Sequence, residues 1–459
     1  MSFRERIFDK PPESLTAEKQ KETYDVAMGL LRALDILQGE KRAVIDFDLT
    51  KGPTHSEAAL IDSLIGKPSK ESYERIVQKF SSLLAQFEEA KPSNLGEAHN
   101  WEFVRARTEA CIAYIKKLID PSEQDNIAYI ETTNGVEAEM IPEEVLEHFK
   151  EKVFNNARAV LGVEEITPRN ITDLQARSEI DQEIAQNRLK QAILGALGSV
   201  GRFIGRRLSV DFEIRPVDEN KYFYAWACTD PETRRFVVKQ NFSRKSKKIW
   251  TRGKAQEMGW HEGGAHLGMR GLRKDFISKE KLHPYFGLTS VFGPEPIIDE
   301  GLGQTLPYFI QGEYARLTDE SKFQVDHKIL KNMVYGNVHL MVNSPIDYPI
   351  DRIVEYVRGY LPWETKEDVQ RQISTRTKDP LFQTYLYAYG YGAWKHYGYA
   401  QLLSDRGKRL FLKEIYEKPY TPGQEKILVK NLLKDPRNNI VDRKKKPSSD
   451  PLISESCVS

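Results

Sequence analysis

The chain has 459 residues, enough to bury a large core in one enzyme domain or two lobes. A net charge of +1 gives no global field for nucleic acid or an anionic membrane, and neither is expected as a partner. Cys111, Cys228 and Cys457 lie far apart with no C-x-x-C pair, which argues against a disulfide framework or a zinc knuckle and fits a reducing compartment.

Met1 to Arg6 is charged and lacks an apolar h-region, and no run of about 18 apolar residues follows anywhere. A soluble, cytoplasmic protein is therefore expected. Residues 1–205 read as an N-terminal helical region. Leu15 to Gln38 carries Leu30, Leu31, Leu34 and Leu37 at helical spacing. A second helix opens at Ser69–Ser72 and runs to about Glu89, with Ile76, Phe80, Leu83 and Leu84 inward. Trp101 to Leu118 gives a third, with Cys111 as a core residue. A fourth starts at Pro142-Glu143-Glu144, where proline suits the first turn. Thr172 to about Phe203 gives a long fifth. Its glycines, Gly195, Gly198, Gly201 and Gly205, follow no strand, so helix packing explains them better than phosphate binding.

The pattern changes near residue 208. Ser209–Ile214, Lys221–Ala227 and Arg235–Asn241 are short β-branched or aromatic runs separated by turn residues, and they predict a small antiparallel sheet. Phe236–Asn241 reads as an edge strand, able to hold an extended peptide or to serve as a plain stabilising hairpin. Ser243 to Lys248 is a basic loop, a solvated face or an attractor of acidic partners. A helix is predicted over about Gly253–Gly271, then a Pro/Gly/aromatic loop over Leu282–Gly293 that lines a cleft. Helical segments follow at roughly 296–313, 318–343, 349–359, 365–375, 381–403, 406–416 and 423–433. Residues 206–434 are thus the catalytic region, and 435–459, with Arg443-Lys444-Lys445-Lys446, reads as a polar disordered tail.

Chemistry concentrates at Trp260-His261-Glu262-Gly263-Gly264-Ala265-His266. Neutral imidazole is a common zinc ligand, and a Glu directly after the first His is where zinc peptidases keep a general base. Here His261 and His266 are five apart instead of four, and a regular helix would splay them by about 140°. Both reach one metal only if the helix is distorted between them, for example by a π-type bulge at Gly263-Gly264. A catalytic zinc needs a third protein ligand, and Glu300 in Asp299-Glu300-Gly301-Leu302 is the natural one. The tyrosine-dense stretch 381–403 offers phenolic donors for a developing oxyanion.

The order of a helical first half, a short sheet, H-E-x-x-x-H and then Glu-Gly resembles gluzincin-type zinc metallopeptidases. His261–His266 with Glu300-Gly301-Leu302 is similar to the tubulin tyrosine carboxypeptidase family, whose Glu in this segment is a zinc ligand. Gln383, Tyr387 and Gly390 match the Gln-x-x-x-Tyr-x-x-Gly pattern of a group of bacterial carboxypeptidase-like proteins with H-E-x-x-P-G-H-H and Glu-Gly-Trp motifs. The chain departs from both: it lacks Pro-Gly-His-His, and Gly-Leu-Gly stands where the first family has Gly-Leu-Ala. The resemblance covers about residues 210 to 405 and implies a carboxypeptidase.

The expectation is a mostly α protein with a small antiparallel β-sheet (α+β), a two-lobed helical metallopeptidase around one zinc cleft. His261, His266 and Glu300 hold one Zn2+, Glu262 is the general base, and Tyr387 stabilises the tetrahedral intermediate. Asp299 orients a ligand histidine, and Arg270 or Arg273 receives a C-terminal carboxylate of a peptide or protein substrate. The alternatives are a zinc hydrolase of a non-peptide amide or ester, and a catalytically silent scaffold with the same fold.

Overall fold

Thr16 accepts a hydrogen bond from Lys19 N and starts helix α1, Ala17–Gln38. The structure, a computed structural model, describes residues 16–440 apart from 40–43, 65–68, 90–94, 123, 168, 172, 173, 175–177, 220–222, 244, 246 and 247. Met1–Arg6, most of the polar tail, Cys457 and part of the basic loop lie outside the described residues. Strand β1 (Ile45–Asp48) follows α1, then α2 (His55–Leu64), α3 (Lys70–Glu89), α4 (Leu95–Ile119), α5 (Asn126–Asn134) and α6 (Glu143–Leu161). The predicted fifth helix is α7, Gln182–Ile204, which starts later because Asp181 caps it through Ile184 N and Glu179 bridges to Thr251. Neither β1, α2 nor α5 was expected.

Strands β2 (Phe212–Val217), β3 (Ala225–Thr229) and β4 (Phe236–Asn241) form a sheet in the order β2–β4–β3. It is mixed, not antiparallel: β3 and β4 are an antiparallel hairpin, and β2 runs parallel to β4. The chain reverses twice, between β2 and β3 and again at Asp230–Arg235, so the third strand runs in the direction of the first. β4 is therefore the centre of the sheet and not its edge. Phe236, Val237 and Val238 are buried, as a strand with two neighbours requires.

Helix α8 is one rod in three parts. It is α-helical over Arg252–Met258, π-helical over Gly259–Leu267 and α-helical again over Gly268–Ser278. Leu288–Ser290, expected as loop, is strand β5 and pairs antiparallel with β1. α9 (Glu295–Phe309), α10 (Glu313–Arg316), α11 (Asp319–Asn343), α12 (Ile350–Tyr360), α13 (Lys366–Lys378), α14 (Pro380–Leu402), α15 (Asp405–Glu417) and α16 (Pro422–Leu433) complete the chain. The fold is mostly α with a small β part. Among the described residues no helix is long and apolar enough to cross a membrane.

Three apolar cores hold these elements. One joins α5, α6 and the end of α7 to α8, α9, α11, α14 and α15. A second packs α1, α3 and α4 on Leu282–Phe292. The third lies between α7, the mixed sheet and α8. Packing thus crosses the boundary expected at residue 205, and the first half of the chain supplies β1 to the wall of the cavity described next.

Candidate metal centre

The π segment of α8 resolves the spacing of the two histidines. Its hydrogen bonds run from residue i to i+5, so residues five apart sit one above the other. His261 Nε2 and His266 Nε2 are 3.2 Å apart. Glu300 enters from α9, with Oε2 at 3.3 Å from His261 Nε2 and Oε1 at 3.9 Å from His266 Nε2. All three side chains are buried. Gly303 permits this approach: a Cβ there would lie 2.5 Å from His261 Nδ1. Likewise, a Cβ on Gly301 would lie 2.7 Å from Gly392 O, so glycine lets α9 and α14 cross closely beside the site.

The donor set fits zinc. Zn–N and Zn–O bonds of about 2.0–2.1 Å in a tetrahedron put ligand atoms about 3.3 Å apart, close to two of the three separations found. Glu300 Oε2 and His261 Nδ1 are buried atoms with no hydrogen-bond partner among the described residues. An acceptor left bare at the focus of two imidazoles is what a cation would satisfy. Burial lowers the pKa of His266 to about 4, which keeps it neutral as a ligand must be. For Glu300 burial acts upward, but His261, His266 and the Tyr385 hydroxyl outweigh it and hold the carboxyl at about 2.

Glu262 lies beside the triad. Its Oε2 accepts from Ala227 N of β3 at 2.8 Å, and its Oε1 is 3.8 Å from His261 Nε2. These groups face a cavity of about 40 Å³ walled by β1, β3, β5, α8, α9 and α14. That is room for a few water-sized occupants.

The tyrosine assignment needs correction. Tyr387 does not line the cavity; its hydroxyl accepts from Glu139 N at 3.0 Å and donates to Glu139 O at 3.3 Å. Tyr385 and Tyr389 line it instead. Residues four apart share a helix face, whereas Tyr387 is about 200° round the helix from Tyr385. Tyr385 donates to Glu300 Oε1 at 2.6 Å, and Tyr389 donates to Tyr385 at 2.9 Å.

Asp299 does not orient a ligand histidine: its Oδ2 pairs with Arg270 Nη2. Arg270 lines the cavity. Arg273 does not; it donates to the carbonyls of Ile415 and Lys418 at 3.0 and 3.2 Å and so ties α8 to the end of α15. Sequence reasoning missed Asp46 of β1 and Trp226 of β3, which are also in the wall. The only local signal for Asp46 is the two-residue alternation of Ile45-Asp46-Phe47-Asp48.

No family model and no curated protein matches the chain. It is similar to a solved structure of a protein provisionally described as a lipoprotein, from Colwellia psychrerythraea. The two share 11% identity at a TM-score of 0.44, over 93% of this chain and 78% of that one.

Proposed function

We propose that this chain is a zinc-dependent metallopeptidase that acts as a carboxypeptidase on peptide or protein substrates. The observation that carries the reading is the convergence of His261, His266 and Glu300, through a π-helical turn, on one point beside Glu262. A bound zinc ion supplies Lewis acidity to water and to a substrate carbonyl. The chain's own residues do the rest. Glu262 takes a proton from the attacking water and passes it to the leaving amine. The Ala227 N–H holds one of its oxygens and so fixes the carboxylate beside the triad. Tyr385 and Tyr389 line the cavity as a relay, with the Tyr389 proton given to Tyr385 and the Tyr385 proton given to Glu300, so they hold that carboxylate in place.

Exopeptidase action follows from the resemblance of His261–His266 and Glu300-Gly301-Leu302 to carboxypeptidase motifs. Arg270 is paired with Asp299 through Nη2, and its Nε and Nη1, without a partner among the described residues, are the donors it keeps for a terminal carboxylate. Of the two readings of Phe236–Asn241, the hairpin is what β3 and β4 form, and the peptide-holding edge passes to β3. Ala227 N points away from β4, and in an antiparallel ladder Ala225 shares that side. The reading takes residues 206–434 as catalytic, with 1–205 completing the wall through β1. It also places the protein in a reducing cytoplasm, which Cys111 and Cys228, buried free thiols, fit.

Metal analysis of purified wild type beside His266→Ala and Glu300→Ala tests the site. About one zinc per chain, lost in both variants, is expected. Glu262→Gln should keep the zinc and lose about 10²- to 10⁴-fold in peptide turnover. A wild type without zinc, or zinc that survives both ligand substitutions, would overturn the reading.

A further inference from the structure

The cavity holds one carboxylate more than the metallopeptidase reading uses. Glu300 is assigned to the metal, Glu262 to proton transfer, and Asp299 is neutralised by Arg270. Asp46 remains. It lines the same cavity, and its one polar contact among the described residues is the 3.1 Å hydrogen bond that Trp226 Nε1 donates to Oδ1. None of the described lysines, arginines or histidines pairs with it. Burial, and then the nearby Glu300 and Glu262 charges, push its pKa well above the usual carboxylate range, against the Trp226 hydrogen bond and the Arg270 charge, which act downward. Asp46 is half-buried, and a cation that reached it would offset the cost of ionising it there.

Two independent features point to a ligand that would. Arg270, paired with Asp299 through Nη2, lines the same cavity and has two further buried nitrogens without a partner among the described residues, so the pocket wall carries groups of both signs. Phe47, Phe223 and Trp226 line that wall beside Asp46, and two of these rings already attract cations of the chain, Arg270 over Phe47 at 5.5 Å and Lys239 over Trp226 at 4.7 Å.

We infer that Asp46 is the contact for a positive charge on the substrate, so that this site selects short zwitterionic peptides, with the terminal carboxylate at Arg270 and an ammonium group at Asp46. The inference rests on the metallopeptidase reading for the identity of the ligand as a peptide. The ammonium has two possible sources with the same chemistry: the N-terminus of a dipeptide, or the side chain of a C-terminal lysine.

Binding separates the sources, and Glu262→Gln protein prevents turnover during the measurement. Calorimetric titration with Gly-Leu and N-acetyl-Gly-Leu tests the α-ammonium. N-acetyl-Gly-Lys and N-acetyl-Gly-norleucine test the side chain. All four keep the carboxylate, so the Arg270 contact is constant. At least one pair should differ about tenfold or more in favour of the cation, as a hydrogen-bonded charge warrants. In Glu262→Gln/Asp46→Asn the ratio should fall to near one. Asparagine keeps an acceptor for Trp226, and Asp46→Ser serves if the amide variant does not fold. A pair ratio near one in the parent protein for both pairs, or discrimination that survives loss of Asp46, overturns the inference. Wild-type hydrolysis of the same peptides keeps the two readings apart. Cleavage of all four at equal kcat/KM would retain the peptidase and remove the role of Asp46. Asp46-dependent binding without cleavage by wild type would do the reverse.

Discussion

Glu300 and Asp326 are both buried carboxylates held by tyrosine hydroxyls, and they differ in what else reaches them. Asp326, on α11, accepts from Tyr308 at Oδ1, and from Tyr314 at 2.5 Å and Asn156 at 2.7 Å at Oδ2. Lys152 stands 3.9 Å away with its ammonium over the rings of Tyr308 and Tyr314. Each oxygen has a donor and the charge has a counter-ion, so nothing remains for a ligand to supply. Glu300 has Tyr385 on Oε1 and no donor on Oε2, with two imidazole nitrogens turned toward it. The same functional group, buried in both places, is a finished strut in one and an open valence in the other. Satisfaction, more than burial or charge, distinguishes a structural carboxylate from a candidate ligand.

Removing each carboxylate should break that comparison most sharply. Asp326→Ala strands three donors and a lysine, and should cost about 3–5 kcal/mol in urea-induced unfolding, whether or not zinc is present. Glu300→Ala in metal-free protein strands one donor, the Tyr385 hydroxyl, where Asp326→Ala strands three and a lysine, and it should cost less. Its effect appears when zinc is added. Wild type should gain about 4 kcal/mol at free zinc a thousandfold above Kd, and Glu300→Ala should gain little. Equal losses in metal-free protein would mean that Glu300 is as structural as Asp326.

Acid gives a second separation. His266 is lowered to about 4 by burial, and His327 and His339 are lowered to about 3 by the same cause. An unfolded histidine takes a proton near 6.5. Below that pH the unfolded chain therefore binds more protons than the fold does, and the stability that these groups contribute is lost as pH falls from 6.5 toward 4. Glu300, held at about 2, extends the loss as its own range is crossed, from about 4.5 downward. Unfolding midpoints of metal-free protein across pH 7 to 4 should fall accordingly. The increment from zinc should persist below pH 6.5 and disappear toward pH 4, where His266 takes up its proton. An increment already lost at pH 6 would show an ordinary, solvated histidine at that position.

The two halves of the site were legible to different degrees, for a physical reason. His261, Glu262 and His266 lie within six residues, and their five-residue spacing itself demanded a distorted helix, which the π segment supplies. Glu300 stood out as an acid beside Gly301 at the start of a helix. The opposite wall was not legible. Asp46 is more than 200 residues from His261 and reaches the cavity only because β1 pairs with β5, a tertiary event with no local signature. The central position of β4 did leave a sign. Phe236-Val237-Val238 is an unbroken apolar run, which marks a strand buried on both faces, whereas an edge strand would alternate.

The smallest expected effects concern the rotation of α14. Its six tyrosines give no amphipathic contrast, and a match in the pattern of Gln383 and Tyr387 chose the wrong face. Tyr385→Phe removes the donor to Glu300 and should weaken zinc binding about 10- to 100-fold, as loss of a residue that orients a ligand does. Tyr387→Phe loses only the contacts to the Glu139 backbone and should cost about 1 kcal/mol of stability, with zinc affinity and turnover kept. Competition with a chelator and urea unfolding measure the two quantities on the same samples. The opposite result, with zinc affinity sensitive to Tyr387 and indifferent to Tyr385, would mean that α14 turns its other face to the metal. The bare oxygen of Glu300 would then have a donor that this packing denies it, and its contrast with Asp326 would disappear.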